Sequence, residues 1–164
     1  MAILTGANTK VYIGTTAAHA NQAAYEADTY TEIEQTESIG DFGDTTNEVA
    51  FTGLGDARVQ KKKGSSDAGN LSITMAADFA AMVSSPLGGQ GALLAASEDT
   101  TSSDYNFKVV YNDGSTGSPL GVGSTRYFSG QVGTFVESTS GADNIVMLTT
   151  DVRINTGIIR VAAT

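Results

Sequence analysis

The segment NIVMLTTDVRINT at 144–156 sets the first limit on the fold. In an extended chain, Val146, Leu148, Thr150, Val152 and Ile154 fall on one face and Asp151 and Arg153 on the other, the pattern of a strand with one side on a core. Other stretches rich in β-branched and aromatic residues lie at 10–15 (KVYIGT), 29–39 (TYTEIEQTESI), 47–54 (NEVAFTGL), 70–77 (NLSITMAA), 105–111 (YNFKVVY) and 125–138 (TRYFSGQVGTFVES). Gly, Asn, Asp and Ser punctuate them, and Asp113-Gly114 and the SGADN stretch at 140–144 offer tight turns, so the strands are predicted to pair as antiparallel hairpins. One segment breaks the pattern. SPLGGQGALLAASED at 85–99 predicts one short helix, although Glu98 and Asp99 at its end oppose the helix dipole. A chain of 164 residues suits one compact domain spanning 1–164, burying roughly 70% of its unfolded surface.

The stretch at 29–39 is different. Tyr30, Glu32, Glu34, Thr36 and Ser38 share one face, while Thr31, Ile33, Gln35, Glu37 and Ile39 share the other, so even the better face is only half apolar. A single strand of that length, about 36 Å when extended, would line water along a whole face. Open polar strands recruit other strands, and one way to cover them is to pair each with a neighbouring subunit until a ring closes. Self-association is therefore an expectation of the strand pattern itself.

Charge is as uneven as hydropathy. Nine of the 18 acids lie between Glu26 and Asp56, and no Lys or Arg falls between positions 11 and 57. Arg58, Lys61, Lys62 and Lys63 follow at once, in a chain of net charge -9. Such neighbours either neutralise each other within one chain or form surfaces that meet on adjacent copies. Tight DNA binding is not expected, because affinity for phosphates needs many basic contacts and acids here outnumber bases two to one.

Residues 29–155 resemble the major tail tube proteins of long-tailed bacteriophages and related gene-transfer particles. The resemblance is carried in order by YTEIEQTESIGDFG, with Ile39-Gly40-Asp41-Phe42-Gly43; KKKGSSDAGNLSITMAAD, with Asp67 and Gly69 after the lysines; GGQGALLAASED; YNFKVVYNDG; and YFSGQVGTFVES. It implies a mainly β protein, an antiparallel β-sandwich or partly rolled barrel with one short flanking α-helix. It also implies hexameric rings stacked into a hollow tube, with tail initiator, tape-measure and tail terminator proteins as partners and double-stranded DNA passing through without specific binding. In that setting Glu32, Glu34 and Glu48 are expected to face the lumen and repel the DNA, whose charge they meet within a screening length of roughly 8 Å. The segment holding Arg58, Lys61, Lys62, Lys63, Gly64, Asp67 and Gly69 is expected to be a long loop that reaches an adjacent subunit, received by an acidic rim from the 26–56 region. Gly64 and Gly69 would reverse its backbone. The first 28 residues match nothing in the family and are expected to order between subunits. The virion tail is the implied location, after synthesis in a host cytoplasm. A tube protein of a contractile or type VI-like injection machine shares this architecture.

Other classes are less well served. With no cysteine, disulfides, thiolate metal sites and cysteine nucleophiles are out of reach. The lone His19, in TTAAHANQAAYEAD, has no Gly-x-Ser-x-Gly elbow beside it and reads as a loop histidine. No segment approaches the roughly 20 apolar residues of a membrane span, and MAILTGANTK lacks the basic-then-apolar layout of a signal peptide. The Asp-rich DFGD and NDGS turns depart from the roughly twelve-residue calcium loop. A carbohydrate-binding or adhesin sandwich would share the strands and the Ser/Thr-rich surface, but the chain has no tryptophan for a sugar platform. No catalytic, cofactor-binding or metal-ligating residue is assigned, and the protein is not expected to be an enzyme.

Overall fold

A computed structural model describes residues 6–84, 88–114 and 123–163. The order of elements is β1 (Lys10–Ile13), α1 (Gln22–Glu26), β2 (Thr31–Glu32), β3 (Thr36–Ile39), β4 (Thr45–Phe51), β5 (Gln60–Asp67), β6 (Asn70–Ala76), α2 (Phe79–Ser84), α3 (Gly89–Glu98), β7 (Tyr105–Val110), β8 (Thr125–Ser138), β9 (Met147–Ile154) and β10 (Ile159–Val161). The protein is mainly β, and the strand pairings are antiparallel throughout. Among the described residues three short helices flank the sheets where one was expected.

The alternation in 144–156 holds. Leu148, Thr150, Val152 and Ile154 are buried on one face of β9, and Thr150 satisfies its hydroxyl by donating to the Thr134 carbonyl at 2.7 Å. β9 lies in an eight-stranded sheet of order β2-β1-β7-β8-β9-β6-β3, with β10 also on β8. β8 organises this sheet: its first residues pair with β7 on one side and β10 on the other, and the rest pair with β9. Gly130 is the pivot, opposite both Tyr105 and Ile154, and a side chain there would collide with the Arg153 backbone carbonyl. A register shift between Val132 and Thr134 bends the strand further.

The sheet rolls until its two ends meet. β2 and β3 are its terminal strands, yet only Ile33, Glu34 and Gln35 separate them in sequence. The Ile33 amide still donates to Val11 on β1 at 2.8 Å, and two residues later the Gln35 carbonyl accepts from Ala76 at the end of β6. The predicted continuous strand at 29–39 is therefore corrected to two short strands on opposite edges. Gln35 makes the break with φ of 58°, left-handed backbone that an extended strand excludes. Ile33, on the more apolar face of the stretch, turns inward to 2% exposure. A cleft of about 400 Å³ remains along the seam, bounded by Thr9 and Lys10 on one side and Thr36–Ile39 on the other.

Inside the roll, Val11, Ile13, Leu71, Ile73, Met75, Phe107, Val109 and Phe128 form one core, into which α3 sets Leu93 and Ala96. Gln90 on α3 is fully buried and polar. Its amide donates to the carbonyls of Glu34 and Ala76 and accepts from the Asp78 amide, at 2.9–3.1 Å, so one side chain joins the crossover, the end of β6 and the helix.

Two expected turns fare differently. The 140–144 turn links β8 to β9, with the Asn144 amide donating to Gly141. The Asp113-Gly114 hairpin is not tight, because Tyr111 already pairs with Ser124 and the link between them includes 115–122, which lie outside the described residues. Nothing in the sequence reading anticipated α1, α2 or β10.

Replacing Gln90 with Leu strands three backbone groups in the interior. Urea unfolding should show a loss on the order of 3 kcal/mol with an unchanged m value, since each stranded group costs about 1–3 kcal/mol and leucine recovers part by burial. A midpoint equal to wild type would show that this tie is dispensable.

Candidate assembly surfaces

β4 and β5 form a two-stranded sheet of their own, apart from the rolled sheet. Every β4 residue is exposed, and so is every β5 residue except half-buried Gly64. The basic run is thus a strand of a projecting hairpin, which corrects the expected loop. Glu48 lies opposite Lys63, Val49 opposite Lys62, Ala50 opposite Lys61 and Phe51 opposite Gln60. Because strand side chains alternate, Glu48, Ala50, Lys61 and Lys63 share one face, and Val49, Phe51, Gln60 and Lys62 share the other. The first face carries a salt bridge, Lys61 Nζ to Glu48 Oε1 at 2.9 Å. The second leaves Phe51 68% exposed, and Leu54 and Val59 at the tip are exposed as well.

Arg58 sits in the tip, just before β5. Gly64 lies inside β5 beside the shift of register between Thr46 and Glu48, so it marks a bulge rather than the reversal expected of it. Gly69 does not reverse the chain either, because Asp67 opposite Thr45 and Ile73 opposite Ile39 keep β5 and β6 on one course. Its φ is +71°, and its amide donates to Asp67 Oδ1 at 2.9 Å, handing the hairpin back to β6.

The three acids expected on one wall lie on different elements. Glu32 is on β2, Glu34 in the crossover and Glu48 on the hairpin. Glu32 is paired with Lys10 at 3.0 Å, and that hydrogen bond raises the Lys10 pKa. Glu32 and Glu48 each meet a lysine within the chain, so neither is a free negative charge.

A second constellation lay beyond sequence reasoning because it joins distant residues. The row Glu32, Tyr12, Lys108, Tyr127, Ile159 crosses the outer face of β2, β1, β7, β8 and β10. Tyr25 and Tyr30 lie over it, so the described part of the N-terminal segment packs in part on its own chain. Lys108 Nζ stands 4.3 Å from the Tyr12 ring centroid and 4.6 Å from that of Tyr30, and burial holds its pKa below the ordinary lysine value. Tyr25 and Tyr30 lie against Tyr127 with tilted rings, centroids 5.7 and 6.1 Å away. Burial raises the Tyr30 phenol strongly, and the Asp28 carboxylate adds to it.

Asp28 is the anchor of this segment. Its carboxylate accepts from the Thr15 hydroxyl at 2.7 Å, the Thr29 amide at 2.8 Å and Asn106 Nδ2 at 2.8 Å, and His19 Nε2 lies 3.2 Å away. Burial pushes the carboxyl pKa up, but these donors outweigh it and hold it below the usual range. Asn106 continues inward to Ser129, whose hydroxyl donates to Asn106 Oδ1 at 2.6 Å and meets Tyr25 Oη at 2.7 Å. His19 lies in a loop, as expected, but as a packed partner of Asp28 and Tyr25. Among the described residues no group of three His, Cys, Asp or Glu side chains converges as a metal site requires, and no helix is long and apolar enough to cross a membrane.

No protein-family model and no curated protein matches the sequence. Solved structures do match. A chain from the PVC sheath/tube terminator of an extracellular contractile injection system superposes with a TM-score of 0.64 at 11% identity, over 99% of each chain. One from the PVC sheath-tube complex gives 0.60 at 12% identity, over 98% of this chain and 92% of that one. The SPP1 tail tube gives 0.60 at 12% identity, over 98% of this chain and 80% of its own.

The depressed Asp28 pKa fixes the sign of a pH effect. A carboxyl ionised more easily folded than unfolded adds stability that is complete above its ordinary value of 3.8 and is lost as pH falls through the lower folded value. Asp28→Asn should flatten that acid limb, lower stability at pH 7 by about 1–3 kcal/mol and speed amide exchange across Thr15–Thr29. An acid limb identical to wild type would remove Asp28 from this role. The arrangement described here, with a rolled antiparallel sheet, short helices and a projecting hairpin, is the tail-tube fold.

Proposed function

We propose that this protein is the structural subunit of a tail tube, assembling into hexameric rings that stack around a channel for double-stranded DNA. The observation that carries the reading is the β4–β5 hairpin. A monomer has no use for a free-standing two-stranded sheet with Phe51 and Leu54 in water, whereas a subunit that must grip its neighbours does. The fold shared with the SPP1 tail tube supports the same reading.

In this assembly Arg58, Lys61, Lys62, Lys63, Gly64, Asp67 and Gly69 belong to the inter-subunit arm. The Lys61–Glu48 pair also realises the same-chain alternative, so Lys62 and Lys63 carry most of the charge offered to a neighbour. Glu32, Glu34 and Glu48 are proposed to line the lumen, with Glu48, on the hairpin, reaching it beside Glu32 and Glu34 of another subunit. The tail initiator, tape-measure and terminator proteins are the proposed partners, the virion tail the location, and the host cytoplasm the site of synthesis. No enzymatic activity is part of this reading.

A second reading is favoured by the full-length match to a chain of the sheath/tube terminator structure: a subunit that forms one ring and caps a tube. Negative-stain electron microscopy across a concentration series separates the two, since a tube subunit gives hollow striated tubes and a terminator gives single rings. Replacing Lys61, Lys62 and Lys63 with Glu should leave the thermal unfolding of the monomer within about 0.5 kcal/mol of wild type while abolishing polymerisation. Unchanged tubes would exclude the lysines from the contact.

A further inference from the structure

Among the described residues seven large apolar side chains are exposed, and they fall in two places. Val49, Phe51, Leu54 and Val59 are on the hairpin; Phe79, Val136 and Ile145 are at one end of the rolled sheet. Ala76 and Ser138 both pair with Met147, and the Ala77 amide donates to the Val146 carbonyl at 2.9 Å, so the end of β6, the end of β8 and the start of β9 meet there. The hairpin leaves from the other end, where Asn70 pairs with Arg153. Six residue steps along β6, about 20 Å, separate its base from the second patch.

Charge divides the same way. The hairpin at 45–67 carries Arg58 and the three lysines against Glu48, Asp56 and Asp67, whereas 76–84 and 136–147 hold Asp78, Glu137 and Asp143 and no Lys or Arg. One end of the molecule is thus apolar with a run of cations along β5, the other apolar and acidic. Two different, mutually complementary patches on one chain make a heterologous contact, which repeats from copy to copy instead of closing into a two-fold dimer.

We infer that the apolar face of the hairpin docks on the Phe79, Val136 and Ile145 end of the next copy, with Lys62, the lysine on that face, directed at Glu137 and Asp143. The inference rests on the tube reading and names the surface that receives the arm. It places that surface at the β8–β9 end, not on the acidic 26–56 region that the sequence pointed to.

The absence of cysteine makes a direct test available. Phe51→Cys and Ile145→Cys, both at exposed positions, are made singly and together in the full chain and oxidised mildly under assembly conditions. The double variant should give a ladder of disulfide-linked dimers, trimers and longer species, and a mixture of the two single variants a linked heterodimer. Tubes or rings in the microscope without these cross-links would overturn the docking and leave the tube reading standing. A wild-type chain that stays monomeric by light scattering at every concentration, with no cross-link, would overturn both. As a second measurement, Glu137→Lys with Asp143→Lys should weaken self-association at least about tenfold, and adding the Lys61–Lys63 to Glu changes should restore it. Failure of the combined variant to recover would also overturn the docking.

Discussion

Closing a sheet on itself requires that its first and last strands come together, and here three residues enforce it. Glu32 ends the strand at one edge, and Thr36 begins the strand at the other. A four-step reach spans at most about 14 Å, so the edges cannot part without pulling this link straight. Much of the molecule answers to that constraint. Ile33 plugs the roll from inside, Gln35 accepts a left-handed conformation that costs roughly 1 kcal/mol, and Gln90 holds the carbonyl of Glu34 while bracing the end of β6. Because β3 is thereby pinned beside β6, the chain between them has no place in the sheet and leaves it as the hairpin.

The outer face shows how a small barrel uses a polar segment as a cover. Tyr12, Lys108 and Tyr127 would present an aromatic and charged stripe to solvent, and residues 14–30 bury it with two further tyrosines. The cover is fastened less by apolar area than by the Asp28 carboxylate and its ring of donors. Such a network is stable only when complete, since each member removed leaves another unpartnered in a dry environment.

Legibility in the sequence followed the reach of the interactions. Strands whose alternation is set by their own core face, such as 70–77, 125–138 and 144–156, were readable to within a few residues, because period-two burial is a local signal. The 29–39 stretch misled for a tertiary reason: it alternates like a strand, but the two ends of the sheet claim different halves of it. The β5 strand, QKKKGSSD, has no apolar alternation and reads as a loop, and only pairing with β4 makes it extended. Among the site residues, Gly69 and Asp67 announced their turn, whereas the link of Asp28 to Asn106, 78 positions apart, leaves no trace in sequence.

The lysines on β5 also act before any neighbour is present. Both outer edges of the hairpin carry backbone groups with no partner strand, and beside them stand Val49 and Phe51, a combination that invites stacking in the wrong register or with unrelated strands. Three consecutive cations along one of those edges repel a second hairpin approaching in parallel or antiparallel pairing, while leaving the apolar face free for a partner of opposite charge. The same residues therefore work as gatekeepers against edge-to-edge pairing of the hairpin.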